Sequence, residues 1–122
     1  PWRRGRPAGG GVGVMNAQTS FDWLAEWYNS QCDGLWEHSF GVRIDTIDNP
    51  GWSLTVDLNG TDLEGRCLSR VAVNYGDELE WRICWVEDGQ FNAAGGPLQL
   101  SNMIDDFRQW SEGYPKSDLA KA

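Results

Sequence analysis

The sequence predicts an α+β domain, in which an antiparallel meander of four to five strands carries an N-terminal and a C-terminal helix packed on it. Apolar residues recur at helical spacing near the two ends of the chain, whereas apolar and polar residues alternate through its middle. Turn sequences such as Asp48–Gly51 and Asp88-Gly89 separate the alternating runs. A single sheet covered by two helices buries the apolar sides of all these elements.

The first predicted element is a helix over about residues 21–30. Apolar residues recur at helical spacing at Phe21, Leu24, Trp27 and Tyr28. Thr19 or Ser20 can cap its N-terminus, where the helix dipole also favours the negative charge of Asp22. Gly34 interrupts this pattern. The alternation that follows predicts a long strand with one face formed by Trp36, His38, Phe40, Val42, Ile44 and Thr46.

The next segments predict strands joined by turns. Asp48-Asn49-Pro50-Gly51 is typical of a type II turn, because proline fixes φ and glycine supplies a positive φ. Residues 52–58 then form a second strand, antiparallel to the first. The sequence predicts another pair of strands over residues 67–75 and 80–87. In its second member one face holds Trp81, Ile83 and Trp85, and the other holds Arg82, Cys84 and Val86.

The C-terminal part of the domain begins with a turn at Asp88-Gly89, after which Phe91 is expected to start a short edge strand. Gly95-Gly96-Pro97 then breaks the pattern. A second amphipathic helix follows over about residues 98–111, with apolar positions at Leu100, Met103, Ile104, Phe107 and Trp110.

The domain is expected to cover residues 15–122, after a disordered extension over residues 1–14 that is rich in glycine, proline and arginine. The formal charge of the chain is −8, but Arg3, Arg4 and Arg6 lie in the extension, which leaves 7 basic and 18 acidic residues, or −11, from Met15 onward. Such a charge repels nucleic acid and anionic lipid and attracts basic partners. No apolar run approaches the roughly 18 residues of a membrane span. We therefore expect neither nucleic acid nor a membrane as partner.

The three cysteines, Cys32, Cys67 and Cys84, lack CxxC spacing, which favours reduced thiols in the cytoplasm over a zinc site or a disulfide. Cys32 lies close in sequence to His38, the only histidine, so a Cys-dependent enzyme of the rhodanese-related sulfurtransferase type is an alternative. Asp33 and Glu37 oppose it, because negative neighbours disfavour a thiolate. We predict no catalytic, cofactor-binding or metal-binding residues.

Tryptophans and carboxylates concentrate in one segment: residues 23–38 contain three tryptophans, the only histidine, one cysteine and three carboxylates. Trp27, Trp81 and Trp85 are expected in the core because they lie on apolar faces of their elements. Trp36 and Trp52 are candidates for exposure, and exposed aromatic residues beside carboxylates are typical of protein interfaces. A module that stacks sugars or peptides on tryptophans is a further alternative.

A set of motifs spans most of the predicted domain. They are Trp23-Leu24, Trp27-Tyr28, Gln31-Cys32-Asp33-Gly34, Trp36-Glu37-His38, Gly41, Asp48-Asn49-Pro50-Gly51-Trp52, Asp57-Leu58, Thr61 and, more loosely, Trp81 and Gly95-Gly96-Pro97. In these motifs the sequence resembles the immunity protein 53 family of bacterial polymorphic toxin systems. The resemblance implies a small cytoplasmic antidote that binds a cognate toxin domain by occlusion, without catalysis. A toxin domain with a basic cleft suits the acidic charge.

Charge, candidate exposed aromatic residues and turn residues coincide in two neighbouring stretches of the sequence. We therefore expect a partner-binding surface formed by Asp33, Trp36, Glu37, His38, Asp48, Asn49 and Trp52. Turn formation alone is the alternative for Asp48 and Asn49. A buried hydrogen-bonded pair is the alternative for Glu37 and His38.

Overall fold

The computed structural model describes residues 18–113, so the predicted boundary at residues 14 and 15 and the end of the chain after residue 113 lie outside it. Its elements are α1 (Ser20–Gln31), α2 (Trp36–Ser39), β1 (Val42–Ile47), β2 (Gly51–Asp57), β3 (Val71–Val73), β4 (Arg82–Glu87), β5 (Gln90–Gly95) and α3 (Leu100–Ser111). The predicted α+β fold class is confirmed: a five-stranded antiparallel sheet carries a helix from each end of the domain.

The strand order is β1-β2-β5-β4-β3. The expected hairpin of β1 with β2 and the expected pair of β3 with β4 are both present and antiparallel. The edge strand expected at Phe91 is wrong, because β5 is the central strand and pairs with β2 on one side and β4 on the other. The order therefore departs from a simple meander, since the last strand inserts between the hairpin and the pair.

The core lies between one sheet face and the two long helices. It consists of Leu24, Leu54, Val56, Leu58, Leu63, Cys84, Phe91, Ala93, Met103, Ile104, Phe107 and Trp110. Phe107 of α3 is its centre, with its ring 5.0 Å from that of Phe91 below and 5.1 Å from that of Trp27 in α1. The apolar spacing that predicted α3 marks the side that it buries. In α1, Leu24 is buried and Trp27 packs on the core, but Phe21 and Tyr28 are exposed. Thr19 caps α1 as expected.

The core-facing side of β4 is the opposite of the one expected. Cys84 pairs in register with buried Ala93 and is itself buried, whereas Trp85 lies on the outer side of the sheet. Arg82 also faces the helices, where Asp106 of α3 neutralises it at 2.6 Å from Nε to Oδ2. Trp85 is covered instead by the guanidinium of Arg70, 4.3 Å from its ring centroid.

Three backbone segments meet very closely where β5 ends. A Cβ atom built at Gly51 would lie 2.1 Å from the carbonyl oxygen of Gly95, and one at Gly96 would lie 2.6 Å from that of Leu79. The type II turn expected before β2 is wrong, because Gly51 does not have the positive φ that this turn needs. Glycine is required at position 51 by this close approach.

We expect Gly51→Ala to lower the free energy of unfolding by about 3 kcal/mol or more, because its methyl group forces β2 and β5 apart. Urea denaturation followed by tryptophan fluorescence measures the change. Gly41→Ala is the matched control, because a Cβ there meets nothing within 4 Å, and we expect it to stay within about 1 kcal/mol of the parent. Equal stabilities of the two variants would contradict the close approach.

Candidate functional site

The residues expected to form one binding surface lie at two opposite ends of the sheet. Residues 33–38 come just before β1, whereas the turn over residues 48–50 follows its last residue. The paired register runs from Val42 opposite Val56 to Ile47 opposite Gly51. A strand of this length separates the two ends by roughly 17 Å, at about 3.3 Å per residue. The structure therefore does not bring the predicted residues together.

At the first end, two carboxylates hold the start of α2. The backbone N–H groups of Leu35 and Trp36 donate to Asp33 Oδ1 at 2.9 and 3.0 Å. Those of Asp33 and Gly34 donate to the Glu37 carboxylate, each at 2.9 Å. This reciprocal capping makes residues 36–39 a helical turn, so the strand expected to begin at Trp36 is wrong.

The same bonds stabilise the charged forms of both carboxylates. Donation from the Trp36 and then the Leu35 N–H lowers the pKa of Asp33. Bonds from its own N–H, and from those of Asp33 and Gly34, lower the pKa of Glu37 against the opposing effect of burial. Each carboxylate thus uses two of its roughly four acceptor sites on backbone donors of other residues, and both bonds to Asp33 go to Oδ1.

Trp36 is a structural residue, and the exposure expected for it is wrong. Its side chain is only 5% exposed, and its Nε1–H donates to the carbonyl of Asn59 at 2.8 Å. Its ring lies 6.1 Å from that of Trp27 and 5.9 Å from that of Tyr28. His38 is exposed, so it forms no buried pair with Glu37. Trp36 therefore joins α1, α2 and the end of β2.

The second end of the sheet contains a groove. It has a volume of about 490 Å³ and is lined by Asn49, Pro50, Tyr75, Gly76, Asp77, Glu78, Leu79 and Trp81. We call it the turn–loop groove, because it lies between the β1–β2 turn and the loop over residues 74–81. Tyr75 is 78% exposed and Leu79 54% exposed. Of these residues, the sequence predicts only Asn49 as a binding residue, since Tyr75 falls at the end of a predicted strand.

Side-chain hydrogen bonds fix the loop of this groove. Asp77 Oδ1 accepts from the backbone N–H groups of Leu79 and Glu80 at 2.9 and 2.8 Å. The Glu80 carboxylate accepts from Nε2 of Gln99, a buried residue next to α3. The N–H of Gly96 donates to the carbonyl of Trp81 at 2.9 Å. The groove wall is thus attached to the helix and the central strand.

Trp52 also has a structural contact at this end. It is half-buried, and its Nε1–H donates to the carbonyl of Pro97 at 3.0 Å, which joins β2 to the segment before α3. Asp48 and Asn49 are exposed in the turn beside it. Of the expected binding residues at this end, these two are the ones that present their side chains to solvent.

The charge of the described residues is strongly negative, with 17 carboxylates against five arginines, a formal charge of −12. Each of these arginines contacts another group of the described residues. Three form ion pairs, namely Arg43 with Asp57, Arg82 with Asp106 and Arg108 with Glu112. Arg66 donates to the carbonyls of Trp110 and Ser111, and Arg70 stacks on Trp85. None of these five described arginines lines the turn–loop groove. Asp48, Asp77, Glu78 and Glu80 lie in its two walls or directly beside them. This end of the sheet is therefore negative.

The three cysteines are free and differ in environment. The thiol of Cys32 is half-buried and donates to the carbonyl of Tyr28 at 3.3 Å. Cys67 is exposed, whereas Cys84 is buried. Burial of Cys84, together with the negative charge of Asp106, raises the pKa of its thiol to about 12. Within residues 18–113 no three metal-binding side chains come together, and no helix has the length and apolarity to cross a membrane.

We expect Trp36→Ala to reduce the free energy of unfolding by about 3–5 kcal/mol, because it removes a buried ring and its hydrogen bond to Asn59. His38→Ala changes an exposed side chain of the same helical turn and should stay within about 0.5 kcal/mol of the parent. Chemical denaturation of both variants measures the difference. A fully stable Trp36→Ala protein would show that this ring is not part of the core.

Comparison with protein-family models matches residues 21–112 to the model described as immunity protein 53. The matched range runs from α1 through the whole sheet to the end of α3. Searches of curated proteins and of solved structures gave no match.

Proposed function

Because the chain belongs to the immunity protein 53 family, we propose that it binds a cognate toxin domain of a bacterial polymorphic toxin system and neutralises it by occlusion. The inhibitor acts by covering a surface of the toxin and performs no reaction. Its place of action is the cytoplasm of the cell that it protects. The three free cysteines support a reducing compartment.

The observation that carries this proposal is the charge of the domain. Residues 18–113 contain seventeen carboxylates and five arginines, and each of these arginines already contacts another group within the same residues. Such a field accelerates association with a basic protein surface and repels acidic ones. An enzyme that acts on nucleic acid needs a basic cleft. A toxin domain of that kind is therefore the partner that the charge favours.

Occlusion requires a stable surface and no reacting groups. Cys32 fits the role of a structural thiol, since its hydrogen bond goes to the α1 backbone and Asp33 and Glu37 lie near it in sequence. Negative neighbours disfavour the thiolate that a sulfurtransferase needs. No contact favours the enzymatic alternative. Asp48 and Asn49 remain candidate contact residues, because both are exposed at the negative end of the sheet.

Co-expression with a toxin domain tests the proposal. The chain and a candidate toxin domain of a polymorphic toxin system are induced separately in the same bacterial strain, and growth is recorded. We expect the toxin alone to stop growth and the chain to restore it. Cys32→Ser is the informative variant, because occlusion predicts full protection by it whereas thiol catalysis predicts none. Failure of the parent chain to protect, at a normal level of folded protein, would overturn the proposal.

A further inference from the structure

We propose that the turn–loop groove is the main docking site for the toxin domain, and that it receives a protruding loop in which arginine or lysine alternates with apolar residues. The inference rests on the proposed immunity function and adds to it a place on the surface and a chemistry for the partner. Three properties of the groove carry it: exposed apolar side chains, unpaired carboxylates and a fixed backbone.

Two strongly exposed hydrophobic side chains, Tyr75 and Leu79, lie together in the groove. Among the large hydrophobic side chains of residues 18–113, the four most exposed are Tyr75 at 78%, Leu35 at 77%, Leu98 at 69% and Leu79 at 54%. Tyr75 and Leu79 line the groove, whereas Leu98 follows Pro97, whose carbonyl accepts from Trp52 of β2. Such a concentration of exposed apolar groups is characteristic of a contact site for another molecule.

The charges around the groove specify a basic partner. Within the described residues, Asp48 and Glu78 form no ion pair and accept no side-chain hydrogen bond. A guanidinium or ammonium group can lie over an aromatic ring, such as that of Tyr75, while its donors reach a carboxylate. An acidic loop would be repelled, and a purely apolar loop would leave these carboxylates desolvated and unpaired.

The dimensions and rigidity of the groove suit a loop. Its volume of about 490 Å³ falls within the usual range for binding pockets, roughly 300–1,000 Å³, so it accommodates a few side chains of one segment. Asp77 and the Gln99–Glu80 hydrogen bond already order the wall. Binding therefore requires little further ordering of this chain.

The opposite end of the sheet exposes less aromatic surface, because Tyr28 is 39% exposed there against 78% for Tyr75 in the groove. Leu35 is exposed there, but Trp36 beside it is buried. The carboxylates of Asp33 and Glu37 are occupied by backbone N–H groups. That end supplies two matched control positions. Leu35 is an exposed apolar residue, and Asp62 is an exposed carboxylate in the loop after β2.

Titration with defined peptides tests the chemistry of the groove without the toxin. The full chain, labelled with ¹⁵N, is titrated with a capped pentapeptide of alternating leucine and arginine, and with the same peptide carrying glutamate for arginine. We expect saturable shifts for Asn49, for residues 75–81 and for the Trp81 indole with the basic peptide only. Tyr75→Ser or Glu78→Gln should weaken binding at least about fivefold, whereas Leu35→Ser and Asp62→Asn should bind like the parent.

Growth protection then connects the groove to the toxin. The double variant Tyr75→Ser, Glu78→Lys is compared with the double control Leu35→Ser, Asp62→Lys. All four side chains are exposed, and thermal melting checks that both proteins fold. We expect the groove variant to lose protection and the control to keep it.

The possible failures are distinguishable. If the groove variant protects as well as the parent, or if the peptide shifts centre on residues 33–38 or spread over the whole acidic surface, the groove is not the docking site, although the immunity function still holds. If the parent chain itself fails to protect, the proposed function is wrong, and the peptide titration alone decides whether the groove prefers basic segments.

Discussion

The close contact of glycine backbones at the end of β5 determines both the sheet and the groove. Gly51 lies against the carbonyl of Gly95, and Gly96 lies against that of Leu79 at distances that no Cβ atom tolerates. Because β5 inserts between β2 and β4, these contacts draw the β1–β2 turn and the loop before β4 to the same edge. The groove is therefore a consequence of how the centre of the sheet is packed.

The two ends of the sheet use the same residue types for different purposes. At the α2 end, Asp33 and Glu37 accept backbone N–H groups and Trp36 is buried, so carboxylates and aromatic ring together hold a short helix on the core. At the groove end Asp77 also accepts backbone N–H groups, but Glu78 accepts no hydrogen bond from the described residues and Tyr75 is largely exposed. Hydrogen bonding and burial, which composition does not reveal, separate the structural end from the candidate binding end.

Much of the fold could be predicted from the sequence. Apolar residues at helical spacing indicate helices at α1 and α3, and alternating apolar residues indicate a strand at β2. The start of β1 could not be predicted, since the alternation from Trp36 to Phe40 looks like a strand while capping by Asp33 and Glu37 makes a helical turn. Which side of β4 faces the core could not be predicted either, because both sides carry apolar residues. The core-facing side includes Arg82, which Asp106 of α3 neutralises.

The spatial arrangement of the predicted binding residues was the least predictable part, because residues 33–38 and 48–52 are near in sequence while β1 holds them at opposite ends of the sheet. The most direct test of the account is a titration of the toxin domain's activity with the purified chain. Occlusion predicts a linear loss of activity that ends at one chain per toxin domain, with full activity recovered when the complex is separated under denaturing conditions and the toxin is refolded. Complete inactivation by a small fraction of an equivalent, with a covalently altered toxin, would show that the chain acts as an enzyme.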